Sequence, residues 1–200
     1  MKKEAFEAYI KAQYETIDSI RQAAWELHAS VNQTYDKSRP YSYHLSMVAD
    51  LAIKYGYEVV DDEKEIIPLV FGAYFHDSIE DARLTYNNVT AIANEYMSPS
   101  QAYIAAEIVY ALTNEKGRTR AERANERYYE GIRTTPYAPF VKMCDRVANM
   151  TYSARKDNSA NSHMNDVYRS EWKHFVDSIR CDSKDIRLSI PAALMTLAER

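Results

Sequence analysis

A ten-residue apolar run, Ile66-Ile67-Pro68-Leu69-Val70-Phe71-Gly72-Ala73-Tyr74-Phe75, passes without a break into His76-Asp77-Ser78-Ile79-Glu80-Asp81. The run has no polar face, so an element made from it has to be enclosed on every side. The segment after it sets one imidazole and three carboxylates within six residues. If the helix continues through that segment, Glu80 falls four residues after His76 and Asp81 four after Asp77. All four side chains then converge on one point. Ionisable groups tied to a buried element are costly unless a cation, a partner charge or a reaction needs them. The plain alternative is a solvated helix end.

The rest of the chain reads as helix. Four Gly and six Pro in 200 residues give little turn material for a many-stranded sheet, and helix-forming residues are plentiful. Phe6, Tyr9, Ile10, Tyr14, Ile17, Ile20, Ala24 and Leu27 recur at threes and fours, which predicts a helix over about residues 3–33. His28, near its end, is expected at the surface or as a cap. After a polar break ending at Pro40, a second helix is expected over 41–55 with Gly56 as its C-cap. Asp61-Asp62-Glu63 supplies acids to the first turn of a third helix, which runs into the ionisable segment. Further helices are expected from about Asn88, from Ser98-Pro99-Ser100 to Leu112, from Ala121 to about Ile132, and from Pro139 past Met150. A polar loop over 155–165 then leads into two last helices. No repeat or linker divides the chain. The expected fold is a single all-α helical bundle over residues 1–200, with the core motifs in 34–152 and the helices of 160–200 packed on them.

A net charge of −4 argues against nucleic acid or an anionic membrane as partner, and leaves room for a small phosphorylated ligand. Cys144 and Cys181 form neither a disulfide framework nor a metal-ligand spacing, so they read as reduced thiols of a cytoplasmic protein. The segment Met1-Lys2-Lys3-Glu4-Ala5-Phe6 lacks the apolar stretch of a signal peptide, and no window is apolar enough to span a membrane. The oligomeric state is open.

Two other positions answer the ionisable segment. His44 opens the second helix in Pro40-Tyr41-Ser42-Tyr43-His44, and Asp145 stands among apolar residues in Val141-Lys142-Met143-Cys144-Asp145-Arg146-Val147-Ala148-Asn149-Met150. Taken singly, His44 reads as a core or capping histidine and Asp145 as a partner for Arg146 or Lys142. Together His44, His76, Asp77 and Asp145 make a His2Asp2 set drawn from three helices. Mixed imidazole and carboxylate donors suit Mn2+, Fe2+ or Zn2+ better than Ca2+.

The order of these motifs resembles the HD-domain metal-dependent phosphohydrolases, which are all-α enzymes. Within that superfamily it is closest to the hydrolase domain of RelA/SpoT-type enzymes and to the stand-alone small alarmone hydrolases. Three patterns carry the resemblance: Pro40-Tyr41-x-x-His44, His76-Asp77-x-x-Glu80-Asp81, and Val141-Lys142-Met143-x-Asp145-Arg146-x-x-Asn149-Met150. The resemblance covers residues 34–152 and implies Mn2+ as cofactor, held by His44, His76, Asp77 and Asp145. It also implies removal of the 3′-pyrophosphate from guanosine 3′,5′-bis(diphosphate)-like nucleotides. Glu80 and Asp81 would then place the attacking water and carry a proton. Lys116, Arg118, Arg120 and Arg123 would neutralise the departing pyrophosphate. Lys37 and Arg39 are the nearest candidates for holding the nucleotide, Arg39 preferred because it can stack or bind bidentately, and Asn149 for a ribose or base edge. Leu45 stands where the family commonly has Pro, and the basic segment before Pro40 is short. The alternatives are an HD phosphohydrolase of another nucleotide, such as a 5′-monophosphate, and a non-catalytic metal- or nucleotide-binding module. His163 and His174 match no ligand position. Tyr168 and Trp172 read first as core and second as a pocket wall.

Overall fold

The computed structural model describes residues 1–37, 39–114, 116–155 and 162–199. Among them are eleven α-helices and no β-strand. In order they are α1 (Lys3–Ala12), α2 (Tyr14–Ser30), α3 (Ser42–Tyr55), α4 (Ile66–Phe75), α5 (Tyr86–Ala93), α6 (Pro99–Leu112), α7 (Arg120–Arg123), α8 (Glu126–Thr134), α9 (Ala138–Ser153), α10 (Ser162–Ile179) and α11 (Ala192–Glu199). No described helix is long and apolar enough to cross a membrane.

The apolar run becomes α4, and every one of its residues is buried. Pro68 lies in its first turn, where a missing N–H leaves no intrahelical bond unmade. Around α4 pack α2, α3, α6 and α9; α3 also lies along α9, whose outer side carries α10 and α11. The close approach of α4 to α6 depends on Gly72, where an added Cβ would sit 2.6 Å from Ile108 Cγ2. Gly56 is needed for a similar reason rather than as a left-handed cap. Its φ is −58°, and a Cβ there would meet the Phe6 ring at 2.7 Å.

Several boundaries differ from those the sequence predicts, among them the start of α4 at Ile66, since Asp62 caps a 3-10 turn over Glu63–Glu65 instead of opening the helix. The first helix breaks at Gln13, because its two halves serve different partners: α1 rests on the 3-10 turn Gly56–Glu58, and α2 packs on α3 and α4. The helix expected from Ala121 to Ile132 breaks at Ala124, where the Asn125 side chain accepts from the Tyr128 N–H (3.1 Å) and caps a new helix. Thr85 caps α5 with a reciprocal contact to Asn88, so that helix begins before Asn88. Of the loop expected over 155–165, residues 156–161 lie outside the described residues, and α10 already begins at Ser162.

The Gly72→Ala variant is expected to lose about 1–3 kcal/mol of stability, because α4 and α6 must part to admit the methyl group. Urea unfolding measures this directly. An unchanged midpoint would show that Ile108 gives way without cost.

Candidate metal centre

Three elements bring the ionisable side chains together. His44 lies in the first turn of α3, His76 and Asp77 follow directly on α4, and Asp145 is in the middle of α9. His44, His76 and Asp145 are buried, and each offers a donor atom within 4.8 Å of the others. The two imidazole Nε2 atoms face each other at 3.3 Å. Asp145 Oδ1 lies 3.3 Å from His44 Nε2 and 4.0 Å from His76 Nε2. Asp77 Oδ2 lies 3.0 Å from His76 Nε2 and 3.8 Å from His44 Nε2. A cation with bonds of about 2.1 Å sets neighbouring donors about 3 Å apart and opposed ones about 4.2 Å apart, and the observed spacings fall in that range.

The surrounding hydrogen bonds aim these donors inward. His76 Nδ1–H donates to the Ala73 carbonyl (2.9 Å), which leaves the Nε2 lone pair of the neutral ring pointing at the cluster. Asn149 Nδ2 donates to Asp145 Oδ1 (2.5 Å), Lys142 Nζ to Oδ2 (2.9 Å), and the Tyr35 hydroxyl to Asn149 Oδ1 (2.8 Å). Tyr35 also stacks on the His44 ring, with centroids 4.9 Å apart. The Tyr41 hydroxyl donates to Asp77 Oδ2 and interacts with Asp81 as well.

Without a cation the cluster must hold protons instead. Burial opposes charge on His76, but the Asp77 carboxylate, its hydrogen bond and Asp145 outweigh it and push the imidazole up to about 9. Burial likewise opposes ionisation of Asp145, yet Lys142 and the histidines hold it well below the usual carboxylate range. Asp77 is also lowered, burial being outweighed by His76. Asp81 moves the other way, to about 6, raised by burial and then by the nearby Asp77 charge.

Beside the cluster opens a cavity of about 540 Å3, a volume suited to a small-molecule ligand. Asp145 is part of both, since it also lines the cavity together with Glu80, Arg120, Arg123, Lys142 and Asn149. Glu80 is exposed, and both its oxygens accept from Asn114 Nδ2 (2.9 and 2.8 Å). It therefore parts from Asp81, although the helical spacing placed the two on one site. The cause is that α4 ends at Phe75 and residues 76–81 form turns, with Arg83 in the left-handed region at φ 60°.

The structure brings together His44, His76, Asp77 and Asp145, with Asn149 hydrogen-bonded to one of them. It does not bring in every expected substrate contact. Lys37 and Lys116 are exposed and outside the cavity lining. Arg39 also lies outside the lining, with its guanidinium 4.5 Å from the Tyr43 ring centroid. Arg120 lines the cavity but is engaged by Glu171. His28 is neither superficial nor capping: it is 1% exposed and stacks on Tyr41 with centroids 4.7 Å apart. Tyr168 and Trp172 both pack on the core, and Tyr168 also lines the cavity, as does His174. Tyr35, Tyr41 and Glu171 were not legible as parts of the site, because their partners lie on other elements. The Pro40-Tyr41-x-x-His44 motif was the one signal that could have drawn attention to Tyr41. No protein-family model and no curated protein matches the chain.

Because a ligating imidazole must be neutral, cation binding at pH 7.5 is expected to release about one proton, which comes from His76. Calorimetric titration in buffers of different ionisation enthalpy measures that number, and a value of zero would remove His76 from the donor set. In the cation-free protein the raised His76 adds stability that is complete below about pH 6.5 and is lost as pH rises through about 9. Thermal unfolding across that window, with chelator present, tests the sign.

Proposed function

We propose that the chain is a metal-dependent phosphohydrolase that admits an anionic nucleotide to the cavity beside Asp145. On the motif resemblance we propose further that it is an Mn2+-dependent pyrophosphohydrolase removing the 3′-pyrophosphate from guanosine 3′,5′-bis(diphosphate)-like nucleotides. The observation that carries the reading is the double membership of Asp145, which sits in the donor cluster and in a cavity wall shared with Lys142, Arg120 and Arg123. When held by His44, His76, Asp77 and Asp145, a divalent cation supplies Lewis-acid polarisation of a phosphoryl oxygen and a more acidic attacking water.

The side chains around it divide the remaining work. Hydrolysis forms a P–O bond from water and breaks the bond to the nucleotide's 3′ oxygen; the water gives up one proton and that oxygen gains one. Glu80 faces the cavity, where it can take the water's proton, and Asn114 fixes its carboxylate. Asp81, at about 6, changes protonation just below neutral pH and shares Tyr41 with Asp77, so it tunes a ligand and stores a proton behind the reacting groups. Lys142, whose ammonium is held by Asp145, and the arginines of α7 offset the phosphate charge. Lys37 and Arg39 lie outside the cavity lining, so base recognition on this reading falls to other cavity residues.

Glu80→Gln is expected to keep the cation while turnover falls about 100-fold or more. A screen of nucleotides with and without a 3′-pyrophosphate, run with added Mn2+, reads the released species. Inorganic pyrophosphate supports the full proposal, and orthophosphate alone points to another nucleotide. Tight nucleotide binding with no turnover would point to a non-catalytic module.

A further inference from the structure

The cavity has a second charged centre on the side formed by α7, α9 and α10. Arg146 is buried, 7% exposed, with its guanidinium 4.1 Å from the Phe175 ring centroid and 4.8 Å from that of Tyr168. Arg120 approaches the same Tyr168 ring at 5.5 Å. Between the two lies Glu171. Its Oε1 accepts from Arg120 Nε (2.8 Å), and its Oε2 accepts from Arg120 Nη2 and from Arg146 Nη1, both at 3.0 Å.

We propose that Arg120 and Arg146 form an anion subsite for a phosphate group of the ligand, and that Glu171 is its resident counter-charge, displaced when that phosphate arrives. The inference rests on the reading that this cavity receives a phosphorylated ligand. Three features support it. Two guanidiniums face one carboxylate, so the centre keeps a net positive charge on the wall of a ligand-sized cavity. Fork-to-oxygen contacts of this kind are the ones a guanidinium makes equally with carboxylate and phosphate. Arg146 is clamped by aromatic faces, which fix the plane of its donors before any ligand binds. Glu171, by contrast, is on a partly exposed side chain of α10 (31%) and can swing away by rotating its own bonds.

This arrangement selects for charge. An incoming anion must replace ion pairs that Glu171 already makes, so a monovalent anion gains little and a multiply charged phosphate or diphosphate gains most. Glu171 thereby sets a threshold on which ligands the subsite takes.

The test uses the full chain with chelator present and inorganic pyrophosphate as the probe, so binding is read without hydrolysis. Glu171→Gln is expected to bind pyrophosphate about tenfold tighter than the parent, since a repelling charge is gone. Arg120→Gln, at a half-exposed side chain, is expected to bind about tenfold more weakly. If Glu171 is only a brace between helices, Glu171→Gln lowers the melting temperature and leaves pyrophosphate affinity unchanged or weaker; that result overturns the proposal. Should Glu171→Gln not fold, unchanged binding by Arg120→Gln overturns it alone. Affinities that shift as stated in a protein without turnover would sink the hydrolase reading and spare the subsite. Turnover with unshifted affinities would do the reverse.

Discussion

The His44 and His76 Nε2 atoms rest 3.3 Å apart, so the two lone pairs need either a shared proton or a cation between them. That constraint organises the centre of this molecule. His44 and His76 are each nearly inaccessible, and the carboxylates of Asp77 and Asp145 close on them from two sides. Lys142 neutralises one of the two carboxylates, which leaves the cluster with one negative charge when the imidazoles are neutral. A divalent cation satisfies the nitrogens and the residual charge at once; a proton on His76 satisfies them less completely. Tyr35, Tyr41 and Asn149 then act on orientation, since each hydrogen-bonds a carboxylate of the cluster or the group that holds one. Such outer contacts hold ligands near a productive geometry before a cation binds.

The same constraint explains what the sequence disclosed and what it did not. A fully apolar decapeptide followed directly by His-Asp has to be enclosed and carries charge to its end, and α4 is the buried helix it forms. Asp145 was legible for a similar reason, because its helix neighbours are apolar and an unpaired carboxylate among them would be costly. The all-α architecture followed from helical periodicity and scarce turn residues. Contacts between distant elements carried no such local mark. Tyr35 meets Asn149 across 114 residues, and Arg120 meets Glu171 across 51. Nothing about Lys37 or Lys116 in sequence separates a solvated lysine from one facing a cavity. His28 was misread because helix-end histidines are commonly superficial, whereas here α2 packs on α3 and the ring slides beneath Tyr41.

The cavity side of the molecule shows why the C-terminal helices matter to the site. α9 presents Asp145 to the cluster and Arg146 to Glu171, Tyr168 and Phe175 of α10, and both line one cavity. These three side chains of α10 line the cavity as well. Residues 34–152 thus build the donor cluster and most of the cavity lining, and α10 closes the remainder. A ligand there would touch α10 as well as Asp145 of the donor cluster, which ties any selectivity in the cavity to a helix that carries none of the recognisable motifs.

The end of α4 at Phe75 decides how the ionisable turn is used. On a continuing helix Glu80 would stack over His76 and Asp81 over Asp77, crowding four ionisable groups on one buried face. The turns over 76–81 separate them instead. The Ser78 N–H returns to Phe75 O (2.9 Å), the Asp81 N–H to Asp77 O (2.8 Å) and the Leu84 N–H to Ser78 O (3.1 Å), so these three groups stay paired while the backbone changes direction. Asp81 remains inside with Tyr41, where burial raises it to about 6. Glu80 leaves that environment, meets Asn114 and lines the cavity. Two carboxylates of one short motif are thereby given unlike surroundings, and unlike surroundings are what allow one to carry a proton near neutral pH while the other faces the cavity.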